Sequence, residues 1–260
     1  MPSWSARYRA GECLAVWDEL RAYGPNGVPE ALHEDAEEVA RETMRRVAAN
    51  VDVVVERLTA GGYAFAYPEY VRQVPTEDDL VAMRRAEQVI GPSPLALRAC
   101  LEIVGAVNLC GDGGAVLPHV AYHADPYEEW VLYPDPLVLP PGAHLWRDWE
   151  SWGGGFEQGC ACTDPEEEDR CRFHLEGFLF AFAPDEAHKA NVSGGEQNIL
   201  LPSNAADPEL IGARHRTGVT LIEYLRISLA WGGFPGYDEA HAFIAVPGMI
   251  EELRRDLLMF

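Results

Sequence analysis

Thr217-Gly-Val-Thr-Leu-Ile-Glu-Tyr-Leu-Arg-Ile-Ser-Leu-Ala-Trp-Gly-Gly-Phe-Pro-Gly236 is the stretch on which the fold turns. Thr220 and Glu223 have the spacing of a capping box, in which each side chain satisfies an orphan backbone N–H at a helix start, with Val219 and Tyr224 placed as the hydrophobic staple. Leu221, Ile222, Leu225 and Leu229 follow on one stripe at helical spacing, and Gly232, Gly233 and Pro235 supply a left-handed cap and a stop. The stretch predicts a short helix packed on one side. Trp231 and Phe234 straddle the glycines, and both rings are expected to be buried against a neighbouring sheet.

Working outward, the segments before Gly91 read as helical. Leu14, Trp17, Leu20 and Ala22 suggest a short helix ending at Gly24-Pro25. Glu30 to Thr59 carries Val39, Met44, Val47, Val51, Val54, Val55 and Leu58, and forms one long helix or two broken ones. Tyr63 to Tyr67 alternates like a short strand or an extended connection, and Asp78 to Val89 looks like another amphipathic helix. After Gly91-Pro-Ser-Pro94 comes an apolar stripe, Leu95, Leu97, Leu101 and Val104. Short β-prone segments follow at Ala106–Cys110, Trp130–Tyr133, Pro136–Leu139, Gly177–Phe182 and Gln197–Leu201. Pro247 to Phe260 predicts a terminal helix with Ile250, Leu253, Leu257 and Leu258 inward.

Short strands with turn-like links and no regular strand–helix alternation predict an α+β fold. Its mostly antiparallel sheet is wrapped by helices, with a helical N-terminal region over residues 1–90 packed on a core of residues 91–260. Residues 140–176, with Gly153-Gly-Gly155 and the acidic run Asp164 to Asp169, read as a loop-rich insertion, the kind of tract that binds something or folds around a ligand.

Charge narrows the function classes. Among 260 residues, 42 are acidic and 20 basic, a formal net charge of −22. A surface of that sign repels phosphate backbones, so nucleic-acid binding is not expected. No apolar run is long enough to cross a bilayer and Met1 to Ala10 lacks a signal-peptide centre, so no membrane role is expected and the location expected is cytoplasmic. The acidic excess also exceeds the net magnitude of roughly 2 to 8 that solubility asks of a small domain. A cationic partner would account for the rest.

The order of pieces resembles the SUKH superfamily. The resemblance rests on Pro94-Leu95, Val104-Gly-Ala-Val-Asn-Leu109, Asp135-Pro-Leu-Val138 and Tyr224-Leu-Arg226 running into Trp231-Gly-Gly233, and it covers roughly Glu87 to Gly236. Proteins of this superfamily are α+β, and many are immunity proteins that neutralise bacterial toxins by binding them. It implies a non-catalytic protein that binds a toxin and it transfers no catalytic residue; the charge of −22 adds the expectation that this toxin domain is basic and nuclease-like. The long helical N-terminal region and the 140–176 insertion depart from the usual pattern.

Three further sets of residues carry chemistry. Cys160-Ala-Cys162 followed by Cys171-Arg-Phe-His174 places three thiols and an imidazole close enough to converge on a tetrahedral zinc ion, although a disulfide between Cys171 and one of the first pair is an alternative. The acidic residues Asp164, Glu166, Glu167, Glu168 and Asp169 are the candidate partner-binding set, or simply a solvated loop. Asp185 and His188, followed by Gly194-Gly195, offer a carboxylate and an imidazole for acid–base work, or an ordinary helix start. His119, His123 and Asp125 read as structural. No Gly-x-Ser-x-Gly elbow, phosphate loop, dinucleotide fingerprint or His-Glu-x-x-His motif is present. Two function classes remain: an acidic binding module, or a hydrolase-like enzyme with its site near His188 or a metal in the 160–174 tract.

Overall fold

The computed structural model describes residues 2–114, 117, 120–123, 129–152, 177–212, 218–241 and 245–260. The chain is α+β, with a helical N-terminal region and small antiparallel sheets. Helices α1 (Trp4–Arg9) and α2 (Cys13–Arg21) lead into α3 (Glu30–Ala60), a single unbroken helix of 31 residues. Its stripe of Val39, Thr43, Met44, Val47, Val51, Val54 and Leu58 is buried at helical spacing. The β-branched Val51 and Val54 stay helical because both are sealed in the core, and that burial outweighs their weak propensity.

Strand β1 (Ala64–Phe65), a one-turn 3₁₀ helix (Pro68–Tyr70) and β2 (Arg72–Gln73) precede α4 (Glu77–Ile90). Helix α5 (Leu95–Ala99) runs on as a π turn over Cys100–Val104, and Pro94 caps it rather than occupying its first turn. Strands β3 (Ala106–Asn108), β4 (Gly111–Asp112), β5 (Val120–His123), β6 (Glu129–Leu132) and β7 (Val138–Leu139) follow.

Next comes α6 (Gly142–Ser151), where a loop-rich tract was expected. Leu145 and Trp149, four residues apart, are buried on one face, and the helix start is held by Asp79 of α4, whose Oδ1 accepts from Ala143 N at 2.9 Å. Beyond it lie β8 (Phe178–Pro184), α7 (Glu186–Lys189), β9 (Glu196–Leu201), α8 (Leu221–Ala230), α9 (Gly236–Ala240) and α10 (Gly248–Arg254).

Among the described residues every strand pairing is antiparallel, but the strands form separate small sheets, β1–β4, β2–β3–β7, β5–β6 and β8–β9, rather than one. The longest pairing, β8 with β9, turns Phe178, Phe180 and Phe182 into the core at the two-residue period of a strand. Trp149 of α6 meets Phe178 edge-on at 5.3 Å. One contiguous apolar cluster joins Trp17 and Val47 to Leu101, Phe178, Leu225 and Leu253.

Helix α8 is capped as its sequence dictates. Thr220 N donates to Glu223 Oε2 at 3.1 Å, and Glu223 N donates to Thr220 Oγ1 at 3.4 Å. At the other end Gly233 N donates to Ser228 O at 2.7 Å and Gly232 N to Leu229 O at 3.0 Å, the paired bonds of a Schellman turn. Gly232 and Gly233 have φ of 62° and 91°, a region glycine enters without steric cost. Asp207 fixes the helix start, accepting from Ile222 N at 3.0 Å and from Arg21 of α2 at 3.1 Å.

Two expectations are corrected at the C-terminal side. Trp231 is only half-buried, its indole N–H donating to Asp238 Oδ1 at 2.8 Å, whereas Phe234 is sealed at 1% exposure and meets Tyr63 edge-on. The terminal helix stops at Arg254, because Arg255 is extended and Asp256 has φ of 56°. Residues beyond it cross α3 as an extended tail. Asn50 holds that tail on both faces of one peptide group pair, donating to Leu258 O at 2.8 Å and accepting from Leu258 N at 2.7 Å. Arg46 reaches Met259 O at 3.0 Å and Arg226 reaches Phe260 O at 2.8 Å. Leu258 therefore faces outward, 52% exposed.

Candidate partner-binding pocket

The glycine turn that ends α8 also builds a pocket. Leu137 N donates to Gly233 O at 2.8 Å and Gly236 N donates to Pro134 O at 3.1 Å, so the Pro134-Asp-Pro136 corner is stapled to the turn. A side chain at position 236 would run into the Tyr133 carbonyl. Between its two prolines Asp135 has φ of 53°, a left-handed backbone that asparagine and aspartate tolerate better than most residues. That conformation turns its carboxylate inward, 2% exposed.

Opposite stands Lys189, the last residue of α7 and the sole lysine among 20 basic residues. Its Nζ donates to Asp135 Oδ1 at 2.6 Å and to the Tyr224 hydroxyl of α8 at 3.2 Å, and the side chain is fully buried. Burial opposes its charge, but the Asp135 carboxylate and the Tyr224 hydroxyl outweigh that and hold the ammonium above the ordinary lysine range. A lysine held protonated in this way is neither a nucleophile nor a base at neutral pH.

The corner, α7 and the β4 turn enclose a pocket of about 500 Å³, with Tyr63, Gly111, Asp112, Tyr133, Glu186 and Phe234 among the residues that line it. Asp112 is exposed at its mouth and shapes the turn, accepting from Gly114 N at 2.7 Å. Tyr63 is anchored by its hydroxyl, which donates to Leu109 O at 2.9 Å, and burial pushes its phenol up. Burial likewise raises the Cys110 thiol, against the pull of Lys189. Neither group is a ready nucleophile, and aromatic walls with carboxylates at the mouth suit a cationic or amphipathic group.

Asp185 and His188 are brought together, but through the backbone. Asp185 Oδ1 accepts from His188 N at 2.8 Å and Oδ2 from Gly195 N at 2.6 Å, so the carboxylate caps α7 while the His188 ring is exposed. Gly194 is needed beside it, since a side chain there would strike the same carboxylate. Cys160, Cys162, Cys171 and His174, the expected zinc ligands, and Asp164, Glu166, Glu167, Glu168 and Asp169, the expected partner-binding acids, lie outside the described residues, as do His119 and Asp125. Among the described residues no group of three or more histidine, cysteine, aspartate or glutamate side chains could hold a metal ion, and Cys13, Cys100 and Cys110 are free thiols. No helix among them is long and apolar enough to cross a membrane.

Sequence reading did not find the Lys189–Asp135–Tyr224 cluster. One signal was available: in a chain that otherwise uses arginine, Lys189 is the single lysine, a compact ammonium in place of a planar fork. No protein-family model, curated protein or solved structure matches the chain.

Proposed function

We propose that the chain is a non-catalytic binding protein that neutralises a basic partner, the immunity-type function that the resemblance to the SUKH superfamily implies, acting in the cytoplasm. The observation that carries this reading is the charge balance of the pocket. Among its described lining residues three carboxylates, Asp112, Asp135 and Glu186, face one cation, Lys189, which is locked inside the fold. The net charge of −22 extends the same sign over the whole chain, and the acidic run Asp164 to Asp169 adds to it. A toxin domain evolved to hold nucleic acid offers the complementary surface, and opposite charge would steer it on at rates approaching 10⁸ to 10⁹ per molar per second at low salt.

The test is co-expression with the toxin candidate encoded beside this chain, scoring survival and measuring association at two ionic strengths. Protection and an association rate that falls as salt rises are expected. Failure to bind or protect, together with turnover of a small substrate that is lost in His188→Ala, would replace this reading with the enzyme.

A further inference from the structure

The loop that leaves the pocket wall is an aromatic protrusion. Ala66, Tyr67, Pro68, Glu69 and Tyr70 are exposed in succession, with Tyr67 52% and Tyr70 51% exposed, and Val74 just beyond β2 is 67% exposed. Tyr70 N donates to Tyr67 O at 2.9 Å, closing a one-turn 3₁₀ helix that Tyr67 caps, so the two rings are presented from neighbouring positions of one exposed turn.

The protrusion is rigidly mounted at both ends. On the pocket side Ala64 and Phe65 pair with Asp112 and Gly111, and Ala66 N donates to Cys110 O at 2.8 Å. On the other side Gln73 pairs with Ala106, while Arg72 reaches Asp52 at 2.7 Å and the Val104 carbonyl at 2.5 Å. Rings held out by a fixed backbone lose little freedom on binding, which is why tyrosine so often carries interface affinity. Glu69 lies between the rings in sequence, and just beyond, α4 opens with the exposed Asp78 and with Glu77, which pairs with Arg84 at 3.0 Å, so the protrusion is aromatic with a net negative charge.

We infer that Tyr67 and Tyr70 form the contact ridge for an arginine-bearing basic segment of the partner; this rests on the function proposed above. Guanidinium groups stack on tyrosine faces better than ammonium groups do, and the exposed Glu69, between the two tyrosines in sequence, supplies a carboxylate for the fork. A second copy of this chain is the poorer occupant, because two bodies each carrying −22 repel.

Nona-arginine and nona-lysine peptides serve as probes, titrated at low and high salt against the intact chain and against Tyr67→Ala/Tyr70→Ala. The intact chain is expected to bind nona-arginine more tightly than nona-lysine. The double variant should keep its melting temperature, bind nona-arginine about 5- to 30-fold more weakly, the product of two exposed cation–π contacts, and lose the preference for arginine. Unchanged nona-arginine binding in the variant would overturn the ridge and leave the acidic binding function standing. Absence of nona-arginine binding by the intact chain would overturn both. A dimer of the intact chain that the double variant converts to monomer would assign the ridge to self-association instead.

Discussion

Lys189 and Asp135 neutralise each other inside the fold, with side chains 0% and 3% exposed, across 54 positions of sequence. Removing one partner strands the other charge in a low-dielectric interior, so Asp135→Ala is expected to cost about 3–5 kcal/mol. Pairing Asp135→Asn with Lys189→Met should recover much of that loss, since apolar replacement of a buried ion pair is often neutral. Urea denaturation of the single and double variants measures both, and an Asp135→Ala change under about 1 kcal/mol would mean that the pair is hydrated.

The same burial makes a chemical prediction. Amine-acylating reagents should leave Lys189 unmodified in the folded protein and label it fully in denaturant. Peptide mapping by mass spectrometry reads this directly, and rapid native labelling of Lys189 would show that the pocket opens to solvent.

The two aromatics flanking the Schellman turn should differ in weight. Phe234→Ala removes a sealed ring and is expected to cost about 3–5 kcal/mol. Trp231→Ala removes a half-buried one with a single hydrogen bond to Asp238, and about 1–2 kcal/mol is expected. Chemical denaturation that ranked them the other way would place the turn differently against the core.

Asp79 sets a pH dependence. Burial pushes its carboxyl up, but the Thr76 hydroxyl and the Ala143 and Thr76 amides more than reverse this, so it lies below the usual aspartate range. A carboxyl with a lower pKa in the folded state binds fewer protons there than when unfolded. Its contribution is therefore present above the unfolded value of about 3.9 and disappears as pH falls through the folded value. Asp79→Asn should be less stable than the parent at pH 7, and the gap should begin to narrow below about pH 4 and vanish as pH falls through the folded value. A gap that persisted unchanged at low pH would rule out titration of Asp79 as its source.

What was legible in the sequence is what is local in the structure. The capping box joins Thr220 to Glu223 and the Gly232-Gly233 stop bonds back to Ser228 and Leu229, each within a few residues, and each was read correctly. Helix α6 was missed because Pro141 gives it no side-chain cap of its own; the cap comes from Asp79, 64 positions earlier. Helix α1 has a local cap in Ser3, which accepts from Ala6 N at 3.2 Å, but it is also held by Asp35, 31 positions away, which accepts from Trp4 N at 2.6 Å. The pocket shares this character, since its ion pair joins a proline corner to a helix end and no spacing rule connects them. Trp231 was misplaced for a related reason: hydrophobicity alone does not tell which of two rings beside a turn faces inward.

The tail crossing α3 bears on how the chain is made. Asn50 and Leu258 meet across 208 positions, and Arg57 holds the Leu253 carbonyl across 196. The long helix is synthesised early, yet the contacts that cover this part of it arrive only when residues near 258 leave the ribosome. Until then α3 exposes apolar surface that only α1, α2 and its nearer neighbours can shield. Non-local closure of this kind slows folding and leaves a nascent chain dependent on chaperones, and late arrest of translation should yield aggregation-prone fragments.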